Sequence, residues 1–195
     1  MTDQSLDTRS RILNATWQLL ESNRGRVVRM SDIAKSARIS RQAIYLHFKS
    51  RTELFIATTR YVEEVKGTDD RLEASRQATT GIDRLNAFVQ GWGSFIPEVY
   101  GVAKTLMILM DTDEAAARAW DNRMTAFREG CEAAIKALAA DKDLSADFTK
   151  KRATDMLFTM LSIGNWEHLT LGCGWSQKDY LKFMKLQTQA VLVAS

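Results

Sequence analysis

Few residues in this chain of 195 belong to the types that make or break bonds. There are two histidines, His47 and His168, and two cysteines, Cys131 and Cys173. No His-Glu-x-x-His, Gly-x-Ser-x-Gly or Gly-x4-Gly-Lys-Ser/Thr run occurs, so the spacings that present a zinc-bound water, an activated serine or a phosphate cradle are missing. Glu167 and His168 are adjacent, and neighbours on a helix diverge by about 100°, which prevents them from working as an acid–base pair. The carboxylates of Asp111-Thr112-Asp113-Glu114 have metal-like spacing, but at the start of a helix they suit the positive end of the dipole, and we read them as a cap. The cysteines lie far apart without Cys-x-x-Cys or Cys/His spacing, so neither a disulfide framework nor a zinc site is expected, and both are read as reduced and buried. The expectation is therefore no catalytic residue, no metal ligand and no cofactor.

Chemistry of a second kind is concentrated in one block. Between Arg24 and Arg51, eight basic residues (Arg24, Arg26, Arg29, Lys35, Arg38, Arg41, Lys49, Arg51) accompany one acid, Asp32, on a chain whose net charge is only +3. A cationic block on an acidic remainder suits a polyanion partner; a solvated basic face is the alternative. On a helix with Ile44 at 0°, Gln42, Tyr45, Leu46 and Lys49 fall between about 100 and 200°, away from an inner surface of Ile33, Ala37, Ile39, Ile44 and Phe48. Leu46 is nonetheless expected to pack. Such a face on a basic module can lie in a major groove.

The elements that position these residues are helices. One proline, Pro97, and ten glycines accompany a 45% hydrophobic, 26% charged composition, which gives an all-α expectation. No apolar run reaches 18 residues and Met1–Ser5 lacks signal-peptide regions, so a cytoplasmic location without membrane contact is expected. Nine helices are read: one capped by Thr8 and ending near Gly25; Asp32–Ala37, capped by Ser31; Arg41–Phe48, capped by Ser40; and Arg51–Lys66, opened by a Ser50/Glu53 box. Then follow Gly81–Phe95, stopped by Gly91 and Gly93; a helix from Pro97 to Met110; one opened by Asp111-Thr112-Asp113-Glu114 and running to about Ala140; Ala146–Leu171; and Gln177–Val193, capped by Ser176 and Asp179. The last two are apolar on too many sides for one chain. Tyr180, Leu181, Met184 and Val191 flank one side of the final helix, and Phe183, Leu186 and Ala190 the other. Met156, Met160, Leu161, Tyr180, Met184 and Val191 are the candidate contacts with a second copy; a deep core helix beside an amphipathic one is the alternative.

Residues Met30 to Phe48 have helix-turn-helix spacing. The stretch Thr8–Phe55, with Ile12-Leu13-Asn14-Ala15, Ser31-Asp32-Ile33-Ala34, Ile39-Ser40-Arg41, Ile44-Tyr45-Leu46-His47-Phe48-Lys49-Ser50 and Glu53-Leu54-Phe55, resembles the N-terminal domain of TetR-family transcriptional regulators over about a quarter of the chain. The resemblance implies an all-α homodimer with a three-helix DNA-binding head in residues 1–50 and an effector-binding and dimerisation domain in 51–195, with 51–66 as connecting helix. It implies a repressor on a palindromic double-stranded operator, released by a small hydrophobic or aromatic effector. Carried onto this sequence, Arg41 would read guanine, Gln42 adenine, and Ala43 a thymine methyl, while Ser31, Tyr45, His47, Lys49 and Arg51 would hold phosphates. The effector cavity would be lined by Trp92, Phe95, Met110, Trp120, Met124, Phe127, Phe158 and Trp166, with Asn165 and His168 orienting the ligand. Arg38 departs from the family's usual glycine at the turn, which alters the turn or adds a phosphate contact. Two other classes stay open: an architectural or cell-cycle DNA binder without effector, and a helical enzyme or adaptor with an incidental basic end.

Overall fold

In the computed structural model, which describes residues 7–24 and 28–194 with backbone alone at 68 and 69, short polar side chains set most helix starts. Asp7, rather than Thr8, accepts from the Ser10 amide at 2.7 Å and opens α1 (Thr8–Ser22). Gly25, the expected end, lies outside the described residues. Ser31 does not cap α2 (Met30–Ala37); it sits in the first turn, behind Arg29, whose side chain makes no capping bond. Ser40 accepts from the Ala43 amide at 3.1 Å at the head of α3 (Arg41–His47). At α4 (Arg51–Lys66), Ser50 accepts from the Glu53 amide at 3.0 Å, and the Glu53 carboxylate reaches back to the Lys49 amide at 2.8 Å, one residue beyond the usual capping box. Single turns α5 (Thr68–Arg71) and α6 (Glu73–Arg76) follow where only a loop was expected. The chain continues through α7 (Gly81–Leu109), α8 (Glu114–Ala140), α9 (Lys150–Met160), α10 (Ile163–Glu167) with a π-helical turn at His168–Gly172, and α11 (Gln177–Leu192). Among the described residues, regular structure outside helices is one isolated bridge, Leu144 to Val193. The all-α expectation holds, and with the single turns set aside nine α-helices remain.

Two helix boundaries differ from expectation, in opposite directions. Pro97 lies inside a 29-residue helix instead of starting one. Proline has no N–H, so the Gly93 carbonyl loses its helical donor. Gln177 replaces it: its Nε2 donates to that carbonyl at 2.8 Å while its Oε1 accepts from Trp166 Nε1 at 2.8 Å. Conversely, the single helix expected over Ala146–Leu171 is broken. Ser162 caps α10 through the Asn165 amide at 3.2 Å, Asn165 Nδ2 donates to the Thr159 carbonyl at 2.6 Å, and Trp92 Nε1 donates to the Leu161 carbonyl at 2.9 Å. Side chains thus satisfy carbonyls that a continuous helix would have used.

The chain forms two compact units, one of residues up to 66 together with 98–122, the other of 67–97 together with 123–195. The N-terminal core extends past residue 50 into α4 and α7. Leu54, Phe55 and Val62 of α4 and Val102 of α7 are buried in one cluster with Ile12, Leu20, Ile33, Ile44 and Phe48. Within this first unit the Glu21 carboxylate accepts from the amides of Gly101 and Val102 at 2.8 and 3.2 Å, and burial pushes its pKa up. Lys66 pairs with Glu98 at 2.8 Å and lies 5.1 Å from the centre of a Trp17 ring. Gly101 marks the closest backbone approach: a Cβ there would stand 2.3 Å from the Leu20 carbonyl oxygen. In the second unit, Trp92 stacks on Phe127 with centroids 4.1 Å apart, and Phe127 contacts Phe158 at 4.8 Å.

Gly101→Ala is expected to lower the unfolding free energy by about 1–3 kcal/mol, since backbone must move to admit the methyl. Gly164→Ala, with nothing within 4 Å of the added carbon, should leave it unchanged or slightly higher. Parallel urea titrations check this; equal effects would contradict the close approach of α1 and α7.

Candidate nucleic-acid interface

The local fold of α2 and α3 follows from a small apolar set. Ile33, Ala34 and Ala37 of α2 and Ile44 and Phe48 at α3 are buried, and the connecting turn is closed by the Ile39 amide on the Ala34 carbonyl at 3.0 Å. Arg38 occupies that turn in the left-handed region, at φ 56 and ψ 46. The turn is therefore kept, at a cost of about 1 kcal/mol for a residue with a Cβ.

With Ile44 inward, α3 presents Arg41, Gln42, Tyr45, Leu46 and His47 to solvent, and Lys49 follows at the surface. Ala43 is half-buried. Leu46 is 86% exposed, which overturns its expected packing. Its wheel angle of about 200° from Ile44 already carried that signal. Arg51, at the head of α4, is half-buried; its guanidinium lies 5.0 Å from the Phe55 ring centre, and its buried Nε has no hydrogen-bond partner. Arg41 lies 5.8 Å from the Tyr45 ring centre, one turn along α3. A cavity of about 400 Å³ is lined by Val28, Arg29, Met30, Ser31, Arg41, Tyr45 and Arg51. Four expected contact residues, Ser31, Arg41, Tyr45 and Arg51, thus converge on one hollow, while Gln42, Ala43, His47 and Lys49 lie outside its lining. Arg29 was not among the expected contacts. Its membership in the basic block was the available signal, and its place one residue before α2 was hidden by the assumption that Ser31 capped that helix.

Beside this face, the Thr52 hydroxyl donates to Asp113 at 2.5 Å, and the other Asp113 oxygen accepts from the Ala115 and Ala116 amides at 3.0 and 3.2 Å. The Thr52 bond is the main reason the Asp113 carboxyl stays below its usual range. Asp113 is thus the cap of α8, as read, and also steadies the first turn of α4.

The expected effector residues are distributed over both compact units. Met110 and Trp120 belong to the first unit, where Trp120 packs against Leu106, Ala116 and Ala119. Trp92, Phe95, Met124, Phe127, Phe158 and Trp166 belong to the second, with Phe127 in contact with both Trp92 and Phe158. Asn165 and His168 are exposed, and the Asn165 amide is engaged by the end of α9. Among the expected contacts with a second copy, Leu161, Tyr180 and Met184 are buried within the subunit and present no surface to a partner. Met160 and Val191 are half-buried and Met156 is exposed. The reason is a choice between the two apolar sides of α11: Tyr180, Met184, Thr188 and Leu192 turn inward, which leaves Leu186 57% exposed. Cys131 is buried as expected, with its thiol pKa pushed up by burial, but Cys173 is exposed.

Residues 12–58 match the family model described as bacterial regulatory proteins, tetR family. The nucleoid occlusion factor SlmA of Marinomonas sp. (strain MWYL1) is 34% identical over 64 residues, 33% of this chain and 32% of that protein. The HTH-type transcriptional regulator AlkX of Mycobacterium tuberculosis is 35% identical over 118 residues, 55% of this chain and 54% of that protein. The chain therefore spans between about a third and a half of the curated relatives it matches. A putative transcriptional regulator from Saccharomonospora viridis, in complex with choline, shares the fold at a TM-score of 0.80 and 18% identity, covering 95% of this chain and 97% of that one. A putative TetR-family regulator from Rhodococcus sp. does so at 0.73 and 22%, covering 95% and 99%.

Arg38→Gly is expected to raise the unfolding free energy by about 1 kcal/mol by relieving the left-handed conformation, and Lys142→Gly, at φ 66, to do the same. Denaturant unfolding checks both; a loss at Arg38 would show that its side chain contributes more than its backbone costs.

Proposed function

We propose that the chain is a member of the TetR family of bacterial regulatory proteins, whose model its residues 12–58 match, and a DNA-binding transcriptional regulator, acting as a homodimer that represses from a palindromic operator until a small hydrophobic or aromatic effector releases it. The observation that carries this reading is the exposed face of α3 on a block with eight basic residues and one acid. A seven-residue helix held from behind by Ile44 and Phe48 enters a major groove with its N-terminal residues on the base edges. Gln42 offers the amide that pairs bidentately with adenine, and the Ala43 methyl suits a thymine methyl. Leu46, exposed on the same helix, adds a second apolar contact of that kind. Ser31, Tyr45, His47, Lys49 and Arg51 hold phosphates and set register.

A palindrome requires two heads about 34 Å apart, and two copies related by a two-fold axis supply them. Met156, Leu171 and Leu186 are the exposed apolar side chains of the second unit and support pairing there. The ring cluster of Trp92, Phe127 and Phe158 supports an apolar, planar effector. Such a ligand must prefer the released conformation; a tenfold loss of operator affinity corresponds to about 1.4 kcal/mol of coupling. The protein works in the cytoplasm, at the nucleoid when bound.

Wild-type protein is expected to select a sequence from a randomised duplex pool at moderate ionic strength. Gln42→Ala should then weaken binding to the selected duplex by about 1–3 kcal/mol and leave a scrambled duplex unaffected; equal losses on both would remove base reading by α3. Met156→Glu combined with Leu186→Glu should sediment as a monomer, whereas an unchanged dimer would place the interface elsewhere.

A further inference from the structure

We infer that the cavity beside α3 is a receptor for one phosphate of the DNA backbone, with Arg29, Arg41 and Arg51 as its cations, so that Arg41 grips the backbone instead of reading guanine. This rests on the DNA-binding reading above. Arg29, Arg41 and Arg51, with Ser31, Tyr45 and the apolar Val28 and Met30, line a hollow of about 400 Å³. Among the described residues no carboxylate is bonded to any of the three arginines. Like charges gathered without a counter-charge repel one another until an anion joins them. The buried Arg51 Nε has no protein acceptor, so no hydrogen bond at that atom ties the side chain to another group. Met30 and Ser31 head α2, an eight-residue helix without a side-chain cap, so its positive end adds to the same site. Arg41 and Tyr45 both line the hollow, and the Arg41 guanidinium lies 5.8 Å from the Tyr45 ring centre on the same helix. The exposed Gln42 next to it gives the hollow a place beside the groove-facing residues, which favours a backbone diester over a free phosphate.

The test titrates wild type, Arg29→Ala, Arg41→Ala, their double variant and Gln42→Ala with the duplex selected by the wild type and with a scrambled duplex, across salt concentrations. Arg41→Ala is expected to weaken both duplexes by the same factor, about tenfold, and the double variant to reduce the salt exponent by about 1, while Gln42→Ala weakens only the selected duplex. A loss for Arg41→Ala confined to the selected duplex, with the exponent unchanged, would return Arg41 to base reading and overturn the proposal. Should the wild type bind DNA without preference, base reading fails, while the salt comparison on any duplex still decides the cavity; absence of binding ends both. A neutral methylphosphonate moved along the duplex should cost the wild type affinity at one position per half-site, and cost the double variant nothing further there. If no position behaves so, the receptor is refuted. Pyrophosphate at constant ionic strength should leave the duplex bound; displacement from the wild type but not from the double variant would assign the site to a free phosphate and overturn the backbone assignment. Thermal melting by circular dichroism verifies each fold, and Arg29→Ala carries the same expectation if Arg41→Ala does not fold.

Discussion

The surface that the first unit offers a polyanion depends on one apolar contact, that of Ile44 and Phe48 with α1, α2 and α4. The α3 helix has seven residues and, of these, only Ile44 is fully buried. A helix so short has no stability of its own in water, because too few hydrogen bonds follow its nucleation. Its direction is dictated by that buried residue and by Phe48 just beyond its end. Apart from the half-buried Ala43, the other α3 side chains are exposed, and the charge they carry costs little because it stays in water. Rigidity of the reading surface is thus a property of the core behind it, and that core includes α4 and the end of α7 as well as the three N-terminal helices.

What could be read in the sequence was whatever depends on neighbours a few residues away. Ser40, Ser50 with Glu53, and Ser176 with Asp179 cap their helices because a cap needs only its own first turn. The outward side of α3 was legible from helical periodicity, and Leu46 was misjudged against its own angle on the wheel. Contacts between distant residues were not legible. Nothing near Pro97 announces that Gln177 will satisfy the Gly93 carbonyl, and nothing in Ala146–Leu171 announces that Trp92 will take the Leu161 carbonyl. In each case a donor comes from another part of the chain, joined at the second by the local groups Ser162 and Asn165. The cavity beside α3 was half legible, since Ser31, Arg41, Tyr45 and Arg51 were singled out individually but without any means of seeing that they share a hollow with Arg29.

The choice between the two sides of α11 has the same character. Periodicity identifies two apolar sides but holds no information about which faces the subunit's own core. The structure buries Tyr180 and Met184, and beside them a Cβ on Gly93 of α7 would stand only 2.6 Å from Leu181 Cδ2. Gly93 on α7 thus leaves room for Leu181 on the side of α11 that carries Tyr180 and Met184.

The Gln177 bridge bears on history. A proline arising at position 97 before glutamine stood at 177 would have stranded a buried carbonyl, at about 1–3 kcal/mol. Glutamine arriving first carries no such burden. The gentler mutational path to this helix thus runs in one order, and once both residues are present, losing Gln177 becomes a handicap that natural selection can notice: an epistatic ratchet made of two hydrogen bonds.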